Sequence, residues 1–530
     1  MRHFKKRRKQ SLSSQINQSH EPLQKDGLKA NLNENIQIIK EALGNSDDII
    51  IREIRIGKER KLKAAIFYTE GLIDTPSIQN FILETLMLDL QKIDIDKMGS
   101  SGENPLHLLK DSVLTVGDIK DLSDYNTLFT FLLSGNVILL LDSFTLGFAI
   151  GMKGGKDRGV TEATVENSVR GPKEAFSESL RTNTALLRRK INDHNLWLET
   201  KKIGTVTKTA VSIAYIKGIT NDKVVEEVRE RLERIEIDSI LETGYVEELI
   251  QDETYTPFPT IFHTERPDVT AANLLEGRVA IFVDGSPNAL LVPSLFVQFF
   301  QTADDYYQRA DIVTLLRFLR FFGFFIALLG PSLYIAITTF HQEMLPTPLL
   351  INLAAQREGV PFPAFIEALI MEITFEILRE AGVRMPRTIG QAVSIVGTLV
   401  IGTAAVDAGI VSAAMVIVVA ITAISSFVVS SFNLSISVRM VRFIFMGLAA
   451  SFGLFGIIVG LIALVLHLCS LRSFGVPYMS PFAPFIATDQ KDALFRFPHW
   501  GLFSRPRLIS QKNVKREDTP SPKPEPRKQK

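Results

Sequence analysis

Hydrophobic and polar positions divide this chain into two unlike parts. From about residue 34 to 300, short apolar runs alternate with charged ones. Residues 49–56 (IIIREIRI) and 62–68 (LKAAIFY) have the length and β-branched content of strands, and 76–90 has helical spacing. A helix over 125–133 precedes strands at 137–142 and 145–152, with Ser143 and Phe144 at their turn. The run KGGKDR (153–158) closes this unit. A second unit opens with a helix over 172–191 and continues with strands at 196–200 and 207–216, a helix at 222–235 and a strand at 279–284. The alternation predicts an α/β soluble N-terminal region of two subdomains, 34–155 and 156–300, followed by an all-α polytopic membrane bundle over 301–487.

The membrane reading rests on length. A helix needs about 20 apolar residues to cross ~30 Å of hydrocarbon. Uncharged segments near 321–340, 388–406, 408–432 and 443–471 meet that requirement; the third continues to 438 with a polar end suited to an interface. Asp407, Ala408 and Gly409 alone separate the second from the third, so that pair reads as a tight helical hairpin. Arg309, Arg317 and Arg320 precede the first segment, Arg384 and Arg387 the second, and Arg439 and Arg442 the fourth. The positive-inside rule then places the N-terminal region in the cytoplasm, provided that 361–381 also crosses. Five spans leave the basic C-terminal tail on the opposite side, against the same rule. The Pro-rich apolar stretch 474–487 is a candidate to re-enter or cross. Small residues at Gly390, Ser394, Thr398 and Gly402, and at Gly453, Gly456 and Gly460, have the spacing that lets membrane helices approach closely.

Segment 361–381 is where chemistry concentrates. Glu372, Glu376 and Glu380 are four apart and share one helix face, while Glu367 lies off it. Each central carboxylate facing lipid costs ~3 kcal/mol, so these side chains must face protein or water. Two readings fit. In a symmetric oligomer, Glu372 and Glu376 form rings along a cation path, Glu380 guards its mouth, and Ile373 and Ile377 form an apolar gate that closes by dewetting. Alternatively, the helix lies flat at the interface with its acids solvated.

Charge and composition mainly exclude. A net charge of +1 gives no field to draw nucleic acid. The single cysteine, Cys469, lies in an apolar segment and rules out an intrachain disulfide or a multi-cysteine metal site. His107, His194 and His263 are far apart in sequence, so no metal is expected. The glycines of 153–156 lack the phosphate-loop spacing. Nothing points to an enzyme or a cofactor. Residues 1–33 read as a disordered basic arm and 488–530 as a basic Pro-rich tail. Residues 1–10 are basic, but no apolar run follows to make a signal peptide.

The helix at 170–191 (RGPKEAFSESLRTNTALLRRKI) resembles the A-subunit family of bacterial spore germinant receptors. So do 286–309 (SPNALLVPSLFVQFFQTADDYYQR), 367–382 (EALIMEITFEILREAG) and 386–422, with similarity over roughly 35–500. The resemblance implies a multi-pass subunit of the spore inner membrane that works with a B-type permease-like subunit and a C-type lipoprotein. It also implies oligomerisation into a ligand-gated channel, which favours the pore reading of 361–381. A paralogous group in the family serves as an accessory germination channel associated with dipicolinate transport. A non-conducting scaffold is a further alternative. A secondary transporter is disfavoured, because no inverted repeat is visible.

Overall fold

Apolar runs buried on both faces make the centres of two sheets. β1 (Ile49–Ile56), β2 (Leu62–Thr69), β3 (Ile119–Leu122), β4 (Asn136–Leu141) and β5 (Gly147–Gly151) form an antiparallel sheet in the order β1-β2-β4-β5-β3. On β4, Val137, Leu139 and Leu141 face one core, while Ile138 and Leu140 face the other beneath α1 (Leu32–Ala42) and α2 (Tyr125–Leu133). A strand covered on both faces has no reason to alternate, hence the continuous VILLL. The computed structural model describes residues 27–56, 62–74, 76, 78, 118–154, 163, 166, 168–385 and 402–519, so the 76–90 helix falls almost wholly outside the described residues.

The second sheet repeats the first. β6 (Leu196–Ile203), β7 (Thr209–Ile216), β8 (Phe262–Thr264), β9 (Val279–Val283) and β10 (Ala289–Val292) run in the order β6-β7-β9-β10-β8. Strand for strand, that is the same topology. α3 (Leu180–Lys190) precedes β6 as α1 precedes β1. α4 (Asp222–Glu233) and α5 (Thr243–Ile250) follow β7, and α6 (Pro267–Leu275) precedes β9 as α2 precedes β4. Side chains repeat too. Asn35 brackets the backbone of Lys29, accepting from its N–H at 2.9 Å and donating to its carbonyl at 2.7 Å; Asn183 does the same to Ser177 at 2.7 and 2.6 Å. Asp142 accepts from the Leu32 N–H and Asp284 from the Leu180 N–H, both at 3.0 Å. Gly135 before β4 and Gly277 before β9 both have positive φ.

These sheets belong to one contact unit, made of Met1–Gln251, Ile261–Pro293 and Phe503–Lys530. Within it, Arg188 at the end of α3 is fully buried and holds Asp48 at 2.7 Å, tying the second repeat to the first. The returning segment 503–519 packs on the second repeat. Arg505 donates to the Leu275 carbonyl at 2.6 Å, Ser510 to the Ile219 carbonyl at 2.9 Å, and Lys512 pairs with Asp222. Composition predicts a free tail there, yet residues up to Thr519 are anchored.

The other unit, Asp252–Thr260 and Ser294–Leu502, is helical. After a short α7 (Asp304–Tyr307) come α8 (Ala310–Phe340), α9 (Thr347–Glu358), α10 (Ala364–Arg384), α11 (Gly402–Asp407), α12 (Ala413–Val428) and α13 (Phe432–Ser470). α8 and α13 are long and apolar enough to cross a membrane. α12 runs antiparallel to α8, because Gly323 lies under Ser425 and Val428 and Gly330 under Thr422. α13 is a hairpin. Gly453 has φ 62° and ψ −141°, a conformation reserved for glycine, and breaks it into two legs. Gly456 lies against the Leu448 carbonyl, and a Cβ on Gly460 would come within 2.9 Å of Phe445, contacts that a straight helix cannot make. Ser437 on the first leg reaches Pro257, and His467 on the second reaches Thr256 at 2.9 Å, so both ends return to one level. The hydropathy reading puts a boundary at 438–443. The structure puts the turn at 429–431 and a second at Gly453, because an apolar hairpin turned by glycine carries no charge to mark it.

Candidate functional site

α10 begins after Pro361 and Pro363, which cannot extend a helix backwards, and runs to Arg384. Its acids are not free. Glu367 is fully buried at the start of α12, accepting from the Ser412 N–H at 3.0 Å and hydroxyl at 2.9 Å, with Arg357 of α9 at 3.3 Å. Glu372 is fully buried against Arg442 of α13 at 2.5 Å. Arg442, 1% exposed, also donates to the Ala327 carbonyl of α8 at 2.7 Å. Glu376 is half-buried and pairs with Arg439. Glu380 is exposed and paired with Arg384 of its own helix. Arg379 stacks over Phe427 and Phe432, 5.2 and 5.9 Å from their centroids.

One side of α10 is thus fastened to α8, α12 and α13 through charges. Four buried polar atoms in this cluster still lack a partner: Oε1 of Glu372, Oε1 of Glu376, Nη1 of Arg379 and Nη2 of Arg442. A buried ion pair holds only where its Coulomb gain and hydrogen bonds offset desolvation. Ile373, Ile377, Glu380 and Arg384 fall along one stripe, and Ile377 is 64% exposed. Of the five residues singled out in the sequence, the structure therefore divides Glu372 and Glu376, turned into the bundle, from Ile373, Ile377 and Glu380, turned out of it.

The partners Arg357, Arg439, Arg442 and Ser412 were not foreseen. Arg439 and Arg442 interrupt an otherwise apolar run one helical turn apart, and that spacing complements Glu376 and Glu372 on an antiparallel helix. Of the small-residue positions, Gly402 is buried at the start of α11, and Gly453, Gly456 and Gly460 form the turn and seam of the α13 hairpin. Gly390, Ser394 and Thr398 lie outside the described residues. Cys469 is exposed at the end of α13. His194 stacks on Phe129, 5.6 Å between centroids, and His107 is outside the described residues.

This arrangement has relatives. The model of the Bacillus/Clostridium GerA spore germination protein family matches residues 37–508. The chain belongs to the GerA family. Spore germination protein KA of Bacillus subtilis is 48% identical over 92% of this chain and 89% of its own length. The membrane protein YfkQ of the same organism is 44% identical over 93% of this chain and 94% of its own. The crystal structure of the N-terminal domain of the A subunit of the Bacillus megaterium spore germinant receptor GerK3 is 48% identical, with a TM-score of 0.41. It covers 52% of this chain and 99% of that one. As a GerA-family chain with two membrane-length apolar helices among its described residues and a relative named as a membrane protein, it is membrane-associated and acts in spore germination.

Proposed function

We propose that this chain is the A-type subunit of a nutrient-responsive germinant receptor in the spore inner membrane, and that its copies assemble around a cation path bordered by α10. Its first unit lies in the cytoplasm. A B-type permease-like subunit senses the germinant, and a C-type lipoprotein completes the complex. Family membership supports the receptor role. The observation that carries the channel is the division of α10: its inner acids are locked to arginines of α13, while Ile373 and Ile377 are exposed and Glu380 is exposed and paired only with Arg384 of its own helix among the described residues. Between copies, Ile373 and Ile377 form the apolar constriction that dewets when closed, and Glu380 forms an acidic ring at the end of the passage. Glu372 and Glu376 hold the helix in place.

The chain's path supports six crossings. α8 sets the direction. α10 and α12 run back, since Glu367 meets Ser412 at one end and Arg379 meets Phe427 at the other. Because α10 and α12 run the same way, one further crossing is required between them, and α13 crosses twice. A cysteine scan of 361–381 in a Cys469→Ser background tests the function. Water-soluble thiol reagents should modify cysteines at 373, 377 and 380 and change ion flux through the reconstituted oligomer, while position 372 stays protected. Uniform protection with no conductance under any gating condition would remove the channel.

A further inference from the structure

The segment after α13 packs back onto its own unit. It wraps the first turns of α8. Tyr478 is buried between Phe296 and Phe299, 5.9 and 6.2 Å between centroids. The Phe296 N–H donates to the Tyr478 carbonyl at 2.8 Å. Asp492 accepts from Arg317 of α8 at 2.9 Å and from the Tyr306 hydroxyl at 2.9 Å. Arg317, fully buried, holds Asp305 with its Nε at 3.0 Å. Phe495 meets Phe318 edge-on at 5.5 Å, and the Arg496 N–H donates to the Thr314 hydroxyl at 3.2 Å. The polar groups of this segment are turned in and its aromatic rings out: Phe485 is 74% exposed, Phe495 46%, Phe497 47% and Trp500 44%.

We propose that residues 482–500 form an interfacial collar whose Phe485, Phe495, Phe497 and Trp500 sit at the boundary between lipid headgroups and acyl chains, around the beginning of α8. The occupant of this surface is lipid for three reasons. First, the collar continues the exposed apolar stripe of α8 (Leu315, Leu319, Phe322), to which Phe318 and Phe495 join it. Second, α8 has 31 residues, about 46 Å at 1.5 Å each, against ~30 Å of hydrocarbon, so its first turns lie at the interface. Third, the Arg317–Asp305–Asp492 cluster fixes those turns at a depth where charge is tolerated, and there Trp and other aromatic rings are favoured. An outward aromatic surface with its ions tucked beneath is the arrangement of a monotopic anchor.

The proposal rests on the bundle lying in a bilayer, and its test separates the two. Trp197 and Trp500 are the only tryptophans. Full-length Trp197→Phe chain is reconstituted in phosphatidylcholine–phosphatidylglycerol vesicles containing lipid brominated near either the headgroup end or the methyl end of its acyl chains. Trp500 emission should be quenched at least about twofold more by headgroup-end bromine. A control chain carrying Phe325→Trp with both native tryptophans replaced by phenylalanine reports the mid-depth of α8. Quenching of the control with none at Trp500 overturns the collar and leaves the membrane reading standing, since water or a second copy then covers the patch. Dominant methyl-end quenching at Trp500 overturns it in favour of a re-entrant segment. If neither probe is quenched, the membrane reading falls and the collar with it.

Discussion

At the scale of single residues, the acids of α10 were legible because charge inside an apolar stretch is rare and costly. Their partners were not, because Arg442 lies 70 residues from Glu372 and Arg439 63 from Glu376 in sequence. Only the antiparallel placement of α10 and α13 brings them together. Arg442→Ala alone leaves a buried carboxylate uncompensated and should cost about 3–5 kcal/mol. Adding Glu372→Gln should recover much of that loss. Thermal unfolding of the four members of the cycle in detergent measures the coupling, and additive losses would show that the two side chains do not act on each other.

A second residue-scale effect lies in the first unit. Burial pushes the Glu166 carboxyl up from 4.5 to about 7, against the lowering effect of the Thr264 hydroxyl that donates to it at 2.6 Å. Burial likewise raises Glu247 to about 7. Between these limits the unfolded carboxyls are ionised while the folded ones keep their protons, so the folded state binds more protons. The contribution of these two carboxyls to stability therefore falls as pH rises from about 4.5 through 7 and levels off above, while burial lowers the His263 imidazole and so works in the opposite sense. Glu166→Gln should remove part of the falling slope in melting curves taken across the window, and Glu247→Gln a further part.

At the scale of elements, seven of the ten described strands of the first unit and the helices at 125–133 and 222–235 were readable from apolar runs, as was the division into two sheets. The helix expected over 172–191 begins only at Leu180, and α1, α5, α6, β3, β8 and β10 went unread because they are short or carry mixed polar and apolar residues. The exact topological repeat was not readable either. It survives at a few positions that share a structural task, such as Leu32 with Asn35 against Leu180 with Asn183, or Gly135 and Asp142 against Gly277 and Asp284. Runs such as NVILLLDS and RVAIFVDG share a pattern more than they share residues, so one sequence read along its length does not reveal them. The α13 hairpin was hidden for another reason. Hydropathy registers a polar connection, and this turn is made by glycine geometry among apolar neighbours. Gly453→Val should destroy it, since a side chain there meets both the left-handed backbone and Phe340 within 3.0 Å. The expected result is loss of folded protein in detergent extracts, with Gly447→Val, which has open space around it, as the tolerated comparison.

At the scale of the whole molecule, the six crossings proposed above remove the parity problem of five spans. It leaves the first unit after Pro293 and rejoins it at Phe503, where Arg505, Ser510 and Lys512 bind groups of the second repeat. Any chain that departs from one side of a bilayer and returns to the same folded unit has crossed an even number of times. On that proposal the extra crossing is the second leg of α13, which the hydropathy reading merged with the first. Six crossings would put the basic residues near the C-terminus on the same side as those of the N-terminal arm, as the positive-inside rule requires. Epitope tags placed before residue 27 and after residue 519 should therefore be cut by protease in the same membrane preparation: both protected in sealed right-side-out vesicles and both cleaved in inverted ones. Opposite accessibility of the two tags would mean an odd number of crossings, and it would also require the contacts of segment 503–519 with Asp222, Ile219 and Leu275 to be absent in the membrane. Charge reversal at Lys512, which faces Asp222, distinguishes an anchored tail from a loose one. In the anchored case it speeds cleavage at the second tag without changing the side from which cleavage occurs.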